Sequence, residues 1–487
     1  MKQTQQKENK ETNPQTQGVK TLLGDPKKAI IKLSIPMIIA MSAHTLYNLA
    51  DGLWVSGFGQ EIFTSEVIAD VGPDALTAVG FVLPFFMMLY AISTGVGVGG
   101  SAALSRKIGE KNKEGADNVA IHSIIYTMIL GVIFSTILFV SSESIFSFMG
   151  AQKTAIMTVS YAKIIFAGGI FIFFTNVANS ILRGEGDTKR AMYAMLFGSI
   201  LNIFLDPIFI YTFKMGVTGA AYATILSMAI TSIMLLYWLF LRKNTYVSFN
   251  FRDFKFSKKI SLDIFKVGLP ASVQQLSMSI TMLVIQLIIT RITLAGEDGI
   301  MIYTAGWRII MVAVLPLIGM VTAVISVTGA AYGAKEYEKL RTAYFYAIKI
   351  GLIGEIIIAI IVFAFAPQIS NIFTSTPEGF RIQAGLIDFL RITCLFYPGA
   401  AFGMMSSAMF QGTGKGNYAL IATILRTIVL SIPIAFIFTF YLNMDIIGVW
   451  WALVISNLFG SIISFAWAKS YIDKTIRSDK TNIKQEI

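Results

Sequence analysis

The chain has 487 residues, 55% of them hydrophobic and only 14% charged, with a net charge of +11, one cysteine and two histidines. That composition excludes an ordinary soluble domain, a disulfide-stapled secreted module and a histidine-rich metal centre. It is the composition of a polytopic membrane protein.

Residues 1–18 are polar and rich in Gln, Asn and Lys, with no apolar core ahead of a small-residue cleavage site, so they read as a disordered cytoplasmic tail without a signal peptide. Apolar runs long enough to cross about 30 Å of hydrocarbon as helices follow at 28–57, 75–105, 117–141, 154–182, 190–213 and 216–241, giving a first lobe over 19–241. The stretch 242–260 sets Arg252, Lys255, Lys258 and Lys259 among Phe249, Phe251 and Phe256, the pattern of a cytoplasmic linker lying on anionic lipid. Six more runs, at 261–293, 300–331, 342–366, 381–410, 418–441 and 446–468, make a second lobe over 261–470, and 471–487 is expected to be a cytoplasmic tail. The expected fold is all-α, with twelve transmembrane helices in two six-helix bundles.

The two lobes repeat one another at an offset of about 230 residues. Pro36 in LSIPMII recurs as Pro270 in VGLPASV, Gly109 in KIGEKNKEG as Gly333 in AYGAKEYEK, and Gly184-Glu185-Gly186 as Gly412-Thr413-Gly414. An even number of helices per copy starts each copy on the same side, so the lobes are related by a pseudo-two-fold axis along the membrane normal. Most Lys and Arg residues fall in the tails, in the loops after even-numbered helices and at the adjoining helix ends, for example Arg106, Lys107, Lys111, Lys113, Arg242 and Lys243. The positive-inside rule then puts both termini in the cytoplasm of a multi-pass cell-membrane protein, and the net charge needs no nucleic-acid partner.

A carboxylate at membrane depth costs about 2.5–3.5 kcal/mol on insertion scales, so one kept there calls for a reason. Asp51 lies about six residues before the outer end of the first helix, and Asp206 about eight before the outer end of the fifth. Tyr47 and Asn202 each stand one turn earlier on the same face, while Tyr161 and Thr224 enter at matching depth on helices four and six. These six side chains can converge in one polar pocket. In the second copy Asp51, Asn202 and Asp206 become Ile285, Leu430 and Ile434, whereas Tyr47 and Thr224 become Thr281 and Ser456. A fold-holding role alone would be needed in both lobes, so the acids point to ion coupling, with a buried network that merely fixes helix packing as the alternative. Such a pair can take up and release a proton; the oxygens of Asp51, Asn202, Asp206 and Thr224 can equally form a shell for Na⁺. Pro36, about four turns before Asp51, removes a backbone hydrogen bond and permits a helix bend, although Pro270 keeps the same proline in the acid-free lobe.

Other polar groups invite weaker expectations. His44, one turn from Tyr47, and Asn176 and Asn179, late in the fourth helix, are candidates to line a substrate path. Glu355 is expected to pair with Arg308 or Arg426, and Asp388 with Arg391 at i, i+3. GVGVGGSAA at 95–103 lies inside an apolar run with no preceding strand, so it serves close helix packing and not a dinucleotide.

At this point LSIPMII, LYNLADGLWVSGFG, NSILRGEGDTKRAM, LNIFLDPIFIY and GVTGAAYAT together resemble the multidrug and toxic compound extrusion (MATE) family, nearest to its DinF-like prokaryotic and archaeal branch. The likeness runs from about Gly24 to Lys469. It implies two six-helix lobes around a V-shaped cavity, and export of cationic or amphipathic organic compounds in exchange for H⁺ or Na⁺. It also implies that Tyr47, Asp51, Tyr161, Asn202, Asp206 and Thr224 form the cation network and that Pro36 is the bending proline. Another branch carries acids in helices seven and ten for Na⁺; here helix seven offers Gln274, Gln275 and Gln286 for that role, and helix ten Asp388 beside Arg391. The expectation is thus a monomeric antiporter, not an enzyme, in contact with membrane lipid and without a cofactor. A flippase for lipid-linked precursors is the runner-up, and a membrane-embedded enzyme the alternative of another class.

Overall fold

The computed structural model describes residues 16–64, 68, 70–149, 154–242, 244–252, 254–292, 296–374 and 380–486. Among them there are helices and turns but no strand. The twelve spans, numbered α1 to α12, are Pro26–Val55, Pro73–Gly109, Lys113–Phe148, Ala155–Ala167 with Gly169–Gly184, Thr188–Thr212, Gly216–Leu241, Lys258–Ile292, Gly296–Ala313 with Leu315–Gly333, Tyr337–Ala364, Gln383–Gly412, Gly416–Tyr441 and Asp445–Glu486. Span α4 is bent by 45° at Gly168, and α8 is interrupted at Val314.

Local chemistry fixes the ends. Asp25 caps α1 by accepting from Lys28 N at 2.9 Å, with Pro26 at the first helical position. Asn112 caps α3 through Gly115 N at 2.7 Å, and Asp187 caps α5 through Arg190 N at 3.2 Å. The internal repeat is written into the turns as paired left-handed residues. Lys111 and Lys335 (φ 56° and 58°) follow α2 and α8, Gly186 and Gly414 (82° and 79°) follow α4 and α10, and Lys214 and Asn443 (54° and 50°) follow α5 and α11.

Outward faces such as Ile133, Ile137 and Val140 on α3, or Ile353, Ile357 and Ile360 on α9, are exposed and apolar. A water-soluble surface does not present such bands; a lipid-facing one does. Between the lobes, small residues let backbones meet. A Cβ at Gly99 would lie 2.2 Å from Ile264 O on α7, one at Gly109 2.0 Å from Ala330 O, and one at Gly333 2.1 Å from Arg106 O. The last two are the same contact seen from either side of the pseudo-two-fold axis. Arg106, at the end of α2 and 6% exposed, donates to Gly412 O at 2.9 Å and to Asp263 at 2.8 Å, both in the second lobe. Ser326 Oγ on α8 donates to Arg183 O at 2.9 Å. These closures lie at the end of the molecule that carries the turns after even-numbered helices.

Residues 471–486 continue α12 as helix; of the expected tail 1–18, residues 1–15 lie outside the described residues, and Gln17 and Gly18 begin a short helix. The linker is strapped to the first lobe. Glu185 accepts from Tyr246 N and Val247 N at 2.9 and 3.1 Å, Asp117 from Ser248 N at 2.8 Å, and His122 Nε2 from Ser257 N at 3.0 Å. Finally, α1 passes Pro36 as one continuous helix with that proline buried.

Candidate cation site in the first lobe

Four helices bring the six expected side chains together. Asp206 and Asn202 on α5 are 0% and 1% exposed, and Tyr47 on α1 and Tyr161 on α4 are 8% each. Asn202 Nδ2 donates to Asp206 Oδ1 at 3.2 Å and reaches Thr224 Oγ1 on α6 at 3.4 Å. Tyr47 stands beside Thr224 and the two acids. The carboxyl groups of Asp51 and Asp206 are neighbours in this cluster. Three buried oxygens, Asp51 Oδ1, Asp206 Oδ2 and Asn202 Oδ1, have no partner.

Unpaired buried oxygens are costly, and a set of them converging is what a proton or a small hard cation requires. Among the described residues no three His, Cys, Asp or Glu side chains group as a transition-metal site. The local fold explains the placement. Pro207 cannot donate to the preceding turn, and the chain passes into a π-helical turn over Ile208–Thr212. That turn swings Tyr211 back so that its hydroxyl donates to Trp54 O at 2.5 Å, tying the ends of α5 and α1 together just outside the acids.

Trp54 meets Phe63 and Tyr211 edge to face at centroid distances of 5.9 and 6.4 Å, and Phe63 stacks on Tyr211 at 5.8 Å, forming an aromatic cap. Sequence reasoning missed this cap. Its signals were available in the spacing of Trp54 three residues after Asp51 and Tyr211 five after Asp206.

Of the path candidates, His44 joins the cluster by stacking on Tyr47 at 5.4 Å, with Asn48 Nδ2 3.2 Å from its Nδ1. Asn176 and Asn179 do not. Asn176 donates to Ser93 and Thr94 on α2 at 2.9 and 2.8 Å, and Asn179 to Thr175 O within its own helix.

The corresponding region of the second lobe has no acid. Ile285 is fully buried, and Thr281 and Ser456 donate to carbonyls of their own helices. Two expected ion pairs are absent. Glu355 is 1% exposed with both carboxylate oxygens unpartnered, so neither Arg308 nor Arg426 reaches it. Arg391 lies over the Phe363 ring, 5.7 Å from its centroid, and forms no pair with Asp388. Both pairings were argued from helical spacing or depth, which fix a face but not which neighbouring helix it meets.

Comparison with known proteins agrees with this architecture. The MatE family model matches residues 61–208 and 270–437. The chain is 26% identical to the probable multidrug resistance protein YoeA of Bacillus subtilis, over 86% of this chain and 92% of that one. It is 28% identical to the multidrug export protein MepA of Staphylococcus haemolyticus, over 88% and 90%. Among solved structures, a MOP superfamily transporter from Pyrococcus furiosus is 48% identical with a TM-score of 0.90, covering 95% of this chain and 99% of that one. An outward-facing multidrug resistance MATE family transporter gives the same identity and score over 96% and 100%.

Proposed function

Because the chain belongs to the MatE family, we propose that it is a secondary active antiporter that exports organic cations and amphipathic compounds across the cell membrane in exchange for H⁺. The observation that carries this reading is the acid pair of the first lobe, with three unpartnered oxygens and no counterpart in the second. A buried network serving only to pack helices would satisfy its polar atoms. This one leaves them open to a cation.

The relatives are named multidrug resistance and export proteins, which supports small organic substrates and speaks against an enzyme. The distribution of Lys and Arg supports cytoplasmic termini, and on that orientation the lobes are pressed together at the cytoplasmic end, leaving the cavity to open outward. In the cycle, a proton from outside settles between Asp51 and Asp206. Tyr47, Asn202 and Thr224 adjust their hydrogen bonds around it, and strain passes along α1, where Pro36 lacks the hydrogen bond that would resist bending. The molecule needs no cofactor and acts as a monomer. Na⁺ coupling is the second reading, because the oxygens of Asp51, Asn202, Asp206 and Thr224 are the hard ligands that ion uses.

The test is efflux of a fluorescent organic cation from vesicles holding the purified protein. With an imposed pH gradient the wild type should accelerate efflux, and Asp51→Asn and Asp206→Asn should lose that acceleration. Gradient-driven efflux surviving in both variants would sink the assignment. A Na⁺ gradient imposed at equal pH decides between the two ions.

A further inference from the structure

The second lobe holds a buried charge of the opposite sign. Arg426 lies on α11 within a π-helical turn, Leu425–Leu430, and is 9% exposed. Its guanidinium makes no ion pair or hydrogen bond among the described residues, and no ionised side chain stands near it. The repeat shows that the fold itself does not demand it, since the equivalent position on α5 is Gly198.

Space for the side chain has been made by removing others. A Cβ at Gly460 on α12 would lie 2.7 Å from Arg426 Cβ, and one at Gly403 on α10 would lie 3.0 Å from Arg426 Nη1.

The groups around it are donors. Ser461 Oγ, next to Gly403, is buried and unpartnered. One turn before Arg426, Thr423 Oγ1 accepts from Gln274 Nε2 on α7, which also donates to Ser407 Oγ at 3.0 Å, while Gln411 Nε2 donates to Gln274 Oε1 at 2.9 Å. That chain of amides uses the lone pairs of Ser407 and Thr423 and leaves their O–H protons free to donate. A guanidinium beside an unpartnered hydroxyl, with no acid to receive them, is an incomplete set, because a buried cation without a partner is strongly destabilising.

We propose that Arg426, with Ser461, is an anion subsite in the second lobe that takes the carboxylate or phosphate oxygens of an amphiphile. This deepens the transporter reading and rests on it for its biological sense, extending the substrate class from organic cations to zwitterions and anionic amphiphiles. The acid pair and the arginine then stand in opposite lobes.

Binding to the detergent-solubilised full chain, read by fluorescence anisotropy, tests the subsite separately from ion coupling. The probes are rhodamine B, which carries a free carboxylate, and its ethyl ester, which does not. Arg426→Gln should weaken rhodamine B by about tenfold or more, the scale of one charge-assisted hydrogen-bonded pair, and leave the ester within about twofold. Arg426→Lys, which keeps the charge, should restore part of the loss. Micelles containing phosphatidylglycerol in place of phosphatidylcholine identify the source: competition that disappears in Arg426→Gln assigns the site to a lipid phosphate, and no competition assigns it to a soluble carboxylate. The proposal is overturned if rhodamine B does not bind, if Arg426→Gln binds it as the wild type does, or if acid and ester weaken alike in both variants. Loss of gradient-driven efflux in the acid variants bears on coupling alone and leaves this measurement unaffected.

Discussion

A buried carboxyl group is informative because its surroundings have to account for it, and Glu185 and the pair Asp51 and Asp206 do so differently. Glu185, in the turn between α4 and α5, is 1% exposed and accepts two backbone N–H groups from the linker. Burial pushes its carboxyl up to about 8, against those two bonds, which hold it down. The folded state therefore binds the Glu185 proton more tightly than the unfolded chain, whose value is near the ordinary 4.5. That contribution to stability is complete below the unfolded value and is lost as pH rises through about 8. Thermal unfolding between about pH 6 and 9 should show wild-type stability declining with pH, and Glu185→Gln, which cannot ionise and keeps an acceptor, should flatten the decline. A parallel slope in the variant would show that other groups set it. The repeat partner Thr413 has no such duty, since the second lobe has no linker to hold. The cation site has the opposite character: three of its oxygens, Asp51 Oδ1, Asp206 Oδ2 and Asn202 Oδ1, are left without partners among the described residues. In Tyr211→Phe the loss of the hydroxyl bond to Trp54 O should lower stability by about 1 kcal/mol and loosen the aromatic cap. Purified-protein melting curves check the first effect and tryptophan emission the second.

At the level of helices, α2 and α8 bring the backbones of the two lobes into close contact. Their crossing is made of Gly109 against Ala330 and Gly333 against Arg106, with no room for a side chain on either side. A leucine at Gly333 meets backbone, not the flexible end of a side chain, so the helices must separate. Spin labels at exposed Lys111 and Lys335, on the turns that follow these helices, should report a longer distance in Gly333→Leu than in the parent. An unchanged distribution would mean that the crossing tolerates bulk and does not set the closed state. Helix irregularities tell a related story. The π-helical turn after Pro207 aims Tyr211, and the one at Leu425–Leu430 carries Arg426, as such turns often do at working positions. Neither is visible as a periodicity, because a single wide turn shifts the register by less than a window of apolar residues can resolve.

For the whole molecule, the question is what holds one end shut. Arg106 is buried, spans from α2 to α7 and α10, and makes hydrogen bonds of 2.9 and 2.8 Å to Gly412 O and Asp263. Bonds to a charged group contribute about 1.5–3 kcal/mol each. Arg106→Ala should accordingly raise the population open at this end by about tenfold or more, read with the same pair of spin labels. If the closed population is unaffected, the glycine crossing suffices without the ion pair. What the sequence determined by itself is the part set by periodicity and by cost. Twelve apolar runs mark the helices because hydrocarbon demands satisfied backbones, the doubled motifs mark the lobes, and acids at membrane depth stand out because few are tolerated there. Depth along a helix and the side on which a residue lies follow from counting, which is why Tyr47, Asp51, Tyr161, Asn202, Asp206 and Thr224 were legible as one cluster. Only the tertiary structure decided which helices face each other: that Glu355 meets no arginine, that Arg391 lies on Phe363, that the linker is tied to Glu185, and that Arg426 is alone. Those outcomes depend on rotation and tilt between helices distant in the chain, and a linear pattern carries no term for either.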